Sequence, residues 1–265
     1  MTIDPDKFKL ISKSQFGQFK NCPRGFYYQY VKKIPQQMNR AMYVGIRFHA
    51  FSNQFFDLVK VKDGEMLFPR DKDFDSDPEI NDMIGNFIDF ERKFLETCSD
   101  TKYFYPLARE IRFDVKHARM KGIVDRIDLN EDGTLTLVEY KTGSYEGKKE
   151  IPSYLRQEHT FYKVLIESCG LPPGDISPRL KDFSVLPEIT HMVVYSPKES
   201  IALAEPFKKR TITAFHKRFE EVLVQIDQNI KETIEGEISV DDIWPANGYL
   251  CNYCSYFGIC KGAEQ

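Results

Sequence analysis

The chain lacks a run of 18 consecutive apolar residues, the length a membrane-spanning helix needs. Its N-terminus, Met1-Thr2-Ile3-Asp4-Pro5, lacks the basic-then-apolar order of a secretory leader, which predicts a cytoplasmic protein. It also lacks an excess of positive charge. With 37 basic and 40 acidic residues the net charge is −3, so the whole chain does not carry the basic footprint of a typical nucleic-acid binder. A local basic channel beside an acidic site is still compatible with that balance. Internal repeats and low-complexity segments are absent, and Trp occurs once. Fibrous and wholly disordered classes are excluded by 42% hydrophobic and 29% charged residues over 265 positions, enough to bury a sizeable core.

What the chain does have is aromatic weight, 21 Phe and 14 Tyr, and six cysteines, three of them within the last fifteen residues. Most of the aromatics are expected in the core, and some could stack on bases.

Periodicity predicts helices at 12–31, 41–60, 78–99, 152–169 and 208–235. The first is capped at Ser12 or Ser14 and broken at Cys22-Pro23. In the second, Phe48, Phe51, Phe55 and Leu58 form one stripe. Segments 107–115, 119–129 and 135–141 alternate as strands, and the turn Asn130-Glu131-Asp132-Gly133 joins the last two into a hairpin. Short strands follow at 191–195 and 201–204. Segments 61–77 and 170–189 read as loops, and 241–265 as irregular. The expectation is one α/β domain over 1–265: N-terminal helices at 12–60, a core at 103–205, and a long helix with a cysteine motif at 208–265. Its two termini are expected to meet.

The chemistry is concentrated in Gly122-Ile123-Val124-Asp125-Arg126 and Val138-Glu139-Tyr140-Lys141. Strand side chains alternate faces, so Glu139 and Lys141 point one way and Tyr140 the other. A hairpin that brings Asp125 alongside places two carboxylates and an ammonium in one patch, which suits a divalent cation with hard oxygen ligands. Such a cation polarises a phosphodiester and acidifies a bound water. Lys141 is suited to orient that water or offset charge on the phosphorane. A surface ion pair is the commoner meaning of Glu-x-Lys. The apolar neighbours Ile123, Val124, Leu135, Leu137 and Val138 argue instead for burial, where charges require partners.

Cys251, Cys254 and Cys260 are one thiolate short of a four-ligand site. Spacing alone leaves zinc and an iron–sulfur cluster both open. Cys98 and Cys169 read as ordinary buried cysteines. Basic residues suited to tracking phosphates are Lys32, Lys33, Arg40, Arg47, Lys148, Lys149, Lys208, Lys209 and Arg210.

These motifs resemble the PD-(D/E)xK nucleases. Asp125, then Glu139-Tyr140-Lys141, matches the core motif, and Gly45-Ile46-Arg47-Phe48-His49 matches the Gly-x-x-x-His of the RecB-like branch. The resemblance implies a restriction-endonuclease-like core, with a mixed central sheet flanked by helices. It implies His49, Asp125, Glu139 and the Tyr140 carbonyl as ligands of Mg²⁺ or Mn²⁺, with Asp125, Glu139 and Lys141 catalytic. Glu110 sits where some members keep an extra acid. The family's next helix carries Gln-x-x-x-Tyr; here Gln157 lies one residue too far from Tyr162, and Glu158 holds the expected place.

One cysteine near the N-terminus plus Cys-x2-Cys-x5-Cys at the C-terminus is similar to the iron–sulfur-bearing RecB-like nucleases. These include the CRISPR-associated RecB-type exonuclease and the AddB nuclease domain. That implies a structural 4Fe–4S cluster on Cys22, Cys251, Cys254 and Cys260, joining the termini. It also implies a metal-dependent DNA exonuclease, with some endonuclease activity in certain relatives, serving CRISPR adaptation or DNA recombination and repair, including phage-encoded versions. The implied substrate is DNA, single-stranded or with free ends, with an integrase or helicase as partner and no membrane. The competing reading is a non-catalytic DNA-binding or scaffold subunit that keeps the fold; it would be expected to have lost one of Asp125, Glu139 and Lys141.

Overall fold

The computed structural model describes residues 4–63, 65–69, 74–170, 178–247, 251 and 254–260. In chain order the elements are β1 (Ile11–Ser12), α1 (Lys13–Asn21), α2 (Pro23–Phe26), α3 (Arg40–Leu58), β2 (Lys60–Lys62), β3 (Glu65–Leu67), α4 (Pro78–Thr97) and α5 (Thr101–Phe104). There follow β4 (Ala108–Val115), β5 (Met120–Leu129), β6 (Leu135–Tyr140), α6 (Ser153–Cys169), β7 (Ile189–Ser196), β8 (Ile201–Pro206), α7 (Lys209–Glu235) and α8 (Val240–Ile243). They group into two compact units, residues 1–37, 114–122 and 209–265, and residues 38–113 and 123–208.

The first unit holds both chain ends. Ser12 caps α1 through a reciprocal capping box with Gln15, each side chain bonding the other's backbone N–H. Pro23 cannot continue that helix, so Cys22 ends α1 and caps α2, its Sγ accepting from Gly25 N. A π-helical turn, Tyr27–Val31, completes the segment. Phe16 packs edge-on against Phe215 and Phe219 of α7. Phe26 stacks on the single Trp, Trp244, which is fully buried. Arg24 ties the two ends together: its Nε donates to the Trp244 carbonyl and its Nη1 pairs with Asp241 Oδ1. β1 pairs in parallel with Met120 and Lys121 of β5.

The second unit is built on a mixed sheet. β4 and β6 both pair with β5; β5–β6 is antiparallel, β6–β7 parallel and β7–β8 antiparallel. β6 is flanked on both edges and all six of its residues are buried, which explains its near-continuous apolar run. The β5–β6 turn is the expected one, with Gly133 at φ 83° and its N–H donating to the Asn130 carbonyl. On one face, Val138, Tyr140 and Tyr195 pack with Phe48 and Phe55 of α3 and Phe87 of α4. On the other, Met192 and Val194 pack with Leu155 of α6. The parallel β6–β7 pair with α6 between them is a βαβ crossover.

Four local expectations change. Within 61–77, β2 and β3 form an antiparallel hairpin instead of a plain loop. Leu58, placed on the buried stripe, is exposed because it lies in the last turn of α3. Cys98 and Cys169 are half-buried rather than buried. Within 170–189, residues 178–182 form a 3-10 turn, and residues 171–177 lie outside the described residues.

Candidate metal centre and cysteine cavity

The register of the hairpin sets the site. Arg126 lies opposite Val138, so Asp125 faces Glu139 across the strands. Asp125 Oδ2 accepts the Tyr140 backbone N–H at 2.9 Å. The side chain of Tyr140 takes the opposite face, where its hydroxyl meets Arg126 Nη1 at 3.3 Å. α3 supplies His49, whose Nδ1 stands 3.5 Å from Glu110 Oε1 and 3.7 Å from Asp125 Oδ1. One donor atom from each of His49, Glu110 and Asp125 falls within 4.8 Å of the others. Gly45 of α3 lies near the segment beyond Lys141, where a Cβ would make an ordinary contact with Thr142 Oγ1 at 3.7 Å.

Lys141 Nζ bridges Glu139 Oε1 and Glu158 Oε2, each at 2.8 Å. Glu158, one turn into α6, thus meets the lysine from the position where the family motif has Gln. Tyr162, a turn further on, is buried; burial first, then the carboxylates of Glu139 and Asp125, push its hydroxyl pKa up.

The electrostatics are those of crowded carboxylates. Burial, reinforced by repulsion from Glu139, pushes the Asp125 carboxyl up to about 7. Burial opposes the His49 imidazolium, but Glu110, Asp125 and Glu139 outweigh it and raise its pKa. Glu110 has a left-handed backbone, φ 43°, within a strand. That conformation is uncommon for a residue with a Cβ, and such strain concentrates at functional sites. A divalent cation would relieve the repulsion. The donor set of carboxylate oxygens and one imidazole fits Mg²⁺ or Mn²⁺.

Of the sequence-derived candidates, His49, Asp125, Glu139 and Lys141 come together. Glu110, read only as an extra acid, joins the close trio, while Glu139 is engaged by Lys141 just beside it. Arg40 and Arg47, read as phosphate contacts, are held by Asp77 with Glu79 and by Asp75 respectively. The sequence reading passed over the ionic network behind the site. Arg126 is fully buried between Phe56 and Phe94, with Glu91 and Asp128 as partners. Glu91 Oε2 has no hydrogen-bond partner among the described residues. Only the charge of Arg126 inside an apolar strand hinted at it.

In the first unit, Cys22, Cys251, Cys254 and Cys260 line one cavity of 160 Å³ with Gln18, Asn21 and Asn247. The sulfurs are not drawn into a close cluster: no three lie within 4.8 Å of one another. Burial, then the Cys22, Cys260 and Cys251 thiols, push the Cys254 thiol up. Cys22 Sγ also accepts from Asn247 N at 3.5 Å.

The PD-(D/E)XK nuclease superfamily model matches residues 10–261, and the chain belongs to that superfamily. No curated protein sequence matches it. Among solved structures it is similar to a candidate exonuclease from Eubacterium rectale, at 11% identity and TM-score 0.50, over 98% of this chain and 95% of that one. It also aligns with SSO0001 at 14% identity and TM-score 0.39, over 96% and 86% of the two chains. At 11% identity the likeness to the Eubacterium rectale protein concerns the fold alone.

Proposed function

We propose that this protein is a metal-dependent DNA exonuclease of the RecB-like branch. The observation that carries the reading is the convergence of His49, Glu110 and Asp125 within ligand distance of one another, beside a lysine that spans Glu139 and Glu158. His49, Asp125 and Glu139 would hold Mg²⁺ or Mn²⁺, with Glu110 as a further carboxylate and the Tyr140 carbonyl completing the set. When bound, the cation supplies Lewis-acid polarisation of the phosphodiester and a water of lowered pKa.

The chain's own groups do the rest. The Tyr140 N–H fixes the Asp125 carboxylate in orientation. Lys141, held between Glu139 and Glu158, is the positive charge of the site suited to offset the negative charge of a pentacoordinate phosphorane. Tyr162, kept neutral by its buried acidic surroundings, is a hydroxyl donor lining the site. Glu158 positions Lys141 together with Glu139.

We further assign a structural 4Fe–4S cluster to Cys22, Cys251, Cys254 and Cys260. The four thiols face one cavity. The cluster would contribute folding energy as a link between chain ends. The cellular setting that fits is cytoplasmic DNA-end processing, in CRISPR adaptation or recombination and repair, with an integrase or helicase as partner.

The test uses linear and covalently closed circular DNA of one sequence, incubated with Mn²⁺ or Mg²⁺. Linear DNA should be degraded from its ends and the circle should survive. Equal attack on the circle would remove the exonuclease assignment.

A further inference from the structure

Three elements of the second unit approach the acidic centre, and each carries the same series of residues from core to solvent. On α3 the buried Ser52 is followed at three-residue steps by His49 and then Ile46. On β5 the buried Ile127 is followed on one strand face by Asp125 and then Ile123. On α6 the buried Tyr162 is followed at four-residue steps by Glu158 and then Tyr154. The outermost member is apolar each time. Ile46, Ile123 and Tyr154 are 56, 48 and 56% exposed. Each stands next to its polar neighbour: about 4.5 Å of helix rise for Ile46, about 7 Å of strand for Ile123, about 6 Å of helix for Tyr154. The polar neighbours themselves meet, His49 with Asp125 at 3.7 Å, and Glu158 with Lys141 at 2.8 Å. The Tyr154 hydroxyl is latched to that of Tyr145 at 3.2 Å, leaving the ring at the rim.

We propose that Ile46, Ile123 and Tyr154 form an apolar rim that grips the unpaired nucleobases on either side of the scissile phosphate, and so selects single-stranded ends. The inference rests on the nuclease reading of the site. The groups flanking a phosphate drawn to the metal centre are its sugars, its bases and the adjacent phosphates, and of these only the bases offer flat apolar faces to the rim. Bases inside a duplex have their faces covered by stacking and their edges paired, so an isoleucine or tyrosine gains apolar burial only from a base that is free. Stacking of a free base on an aromatic ring tolerates any sequence, as removal of successive nucleotides requires.

The experiment compares kcat/KM with Mn²⁺ for three substrates: a labelled single strand, the same strand with abasic residues at its terminal positions, and the blunt duplex. The wild-type protein should prefer the base-bearing single strand over both others by about tenfold. The triple variant Ile46→Ser/Ile123→Ser/Tyr154→Ser should cleave the base-bearing and abasic strands alike, with the loss appearing in KM. Tyr154→Phe, which keeps the ring, should retain the preference. An unchanged melting temperature of the triple variant shows that the change is at the rim, and Ile123→Ser alone provides a milder version of the same loss. Equal kcat/KM for base-bearing and abasic strands in the wild type would overturn the proposal. So would faster cleavage of the duplex, or full discrimination in the triple variant. Absence of all cleavage by the wild type would instead remove the nuclease reading beneath it.

Discussion

Asp125 shows how one residue's surroundings define its use. It is buried beside Glu139 and Glu110, with His49 and the Tyr140 N–H as its compensating contacts. An isolated carboxylate gains nothing from such a place; one that shares a cation does. His49 is the softest donor of the set, so its removal should be felt more with Mn²⁺ than with Mg²⁺. His49→Ala is predicted to weaken Mn²⁺ affinity about tenfold or more by calorimetric titration, and Mg²⁺ affinity by less. Unchanged Mn²⁺ affinity would take His49 off the ligand set. Asp125, Glu139, Lys141 and His49 were legible in the sequence because their types and spacings recur with this chemistry. Glu110 was read only as an extra acid through the resemblance, and its φ of 43° and its distance to His49 are what place it in the close trio. Glu158 was noticed as a departure from Gln, yet its contact with Lys141 depends on how α6 docks.

The elements were legible for the most part. The capping box at Ser12, the break at Cys22-Pro23 and the Asn130–Gly133 turn are local codes, and each produces the expected boundary. The β2–β3 hairpin was missed because its strands are only three residues each and mostly exposed, too short to carry a readable pattern. What no local pattern reveals is the network joining α4 to β5. Glu91 is separated from Arg126 by 35 residues in sequence. Glu91 faces Arg126 and Asp128, with Tyr140 beyond, and burial pushes its carboxyl up to about 7. An acid with a folded-state pKa above its unfolded value binds its proton more tightly when folded. The stability it contributes is therefore complete below the unfolded value of about 4.5 and is lost as pH rises through about 7. Glu91→Gln removes this titration. Relative to the variant, the wild type should lose up to about 3 kcal/mol of stability between pH values of roughly 4.5 and 7. Parallel stability profiles of the two proteins by chemical denaturation would contradict the buried-acid account.

At the scale of the molecule, the first unit gathers both ends of the chain and the second carries the acidic centre. The sequence pointed to that gathering through its cysteines, but the buried Arg24 anchor and the Trp244 stack that achieve it are tertiary facts. Closing a loop of more than two hundred residues, from Cys22 to Cys260, removes much entropy from the unfolded chain, on the order of a few kcal/mol. Each of Cys22→Ser, Cys251→Ser, Cys254→Ser and Cys260→Ser should lower iron content and melting temperature together. Cys98→Ser and Cys169→Ser should leave iron content intact. A Cys22→Ser protein with full iron would separate that thiol from the cluster. No helix among the described residues is long and apolar enough to cross a membrane. The central claim is that the carboxylates, His49 and Lys141 form one hydrolytic centre, and its most direct measurement is the cleavage rate of end-labelled single-stranded DNA with Mn²⁺ for the wild type and Lys141→Ala. The account predicts a loss of about a hundredfold or more, several kcal/mol of barrier, with the melting temperature unchanged; cleavage by Lys141→Ala at the wild-type rate would contradict it.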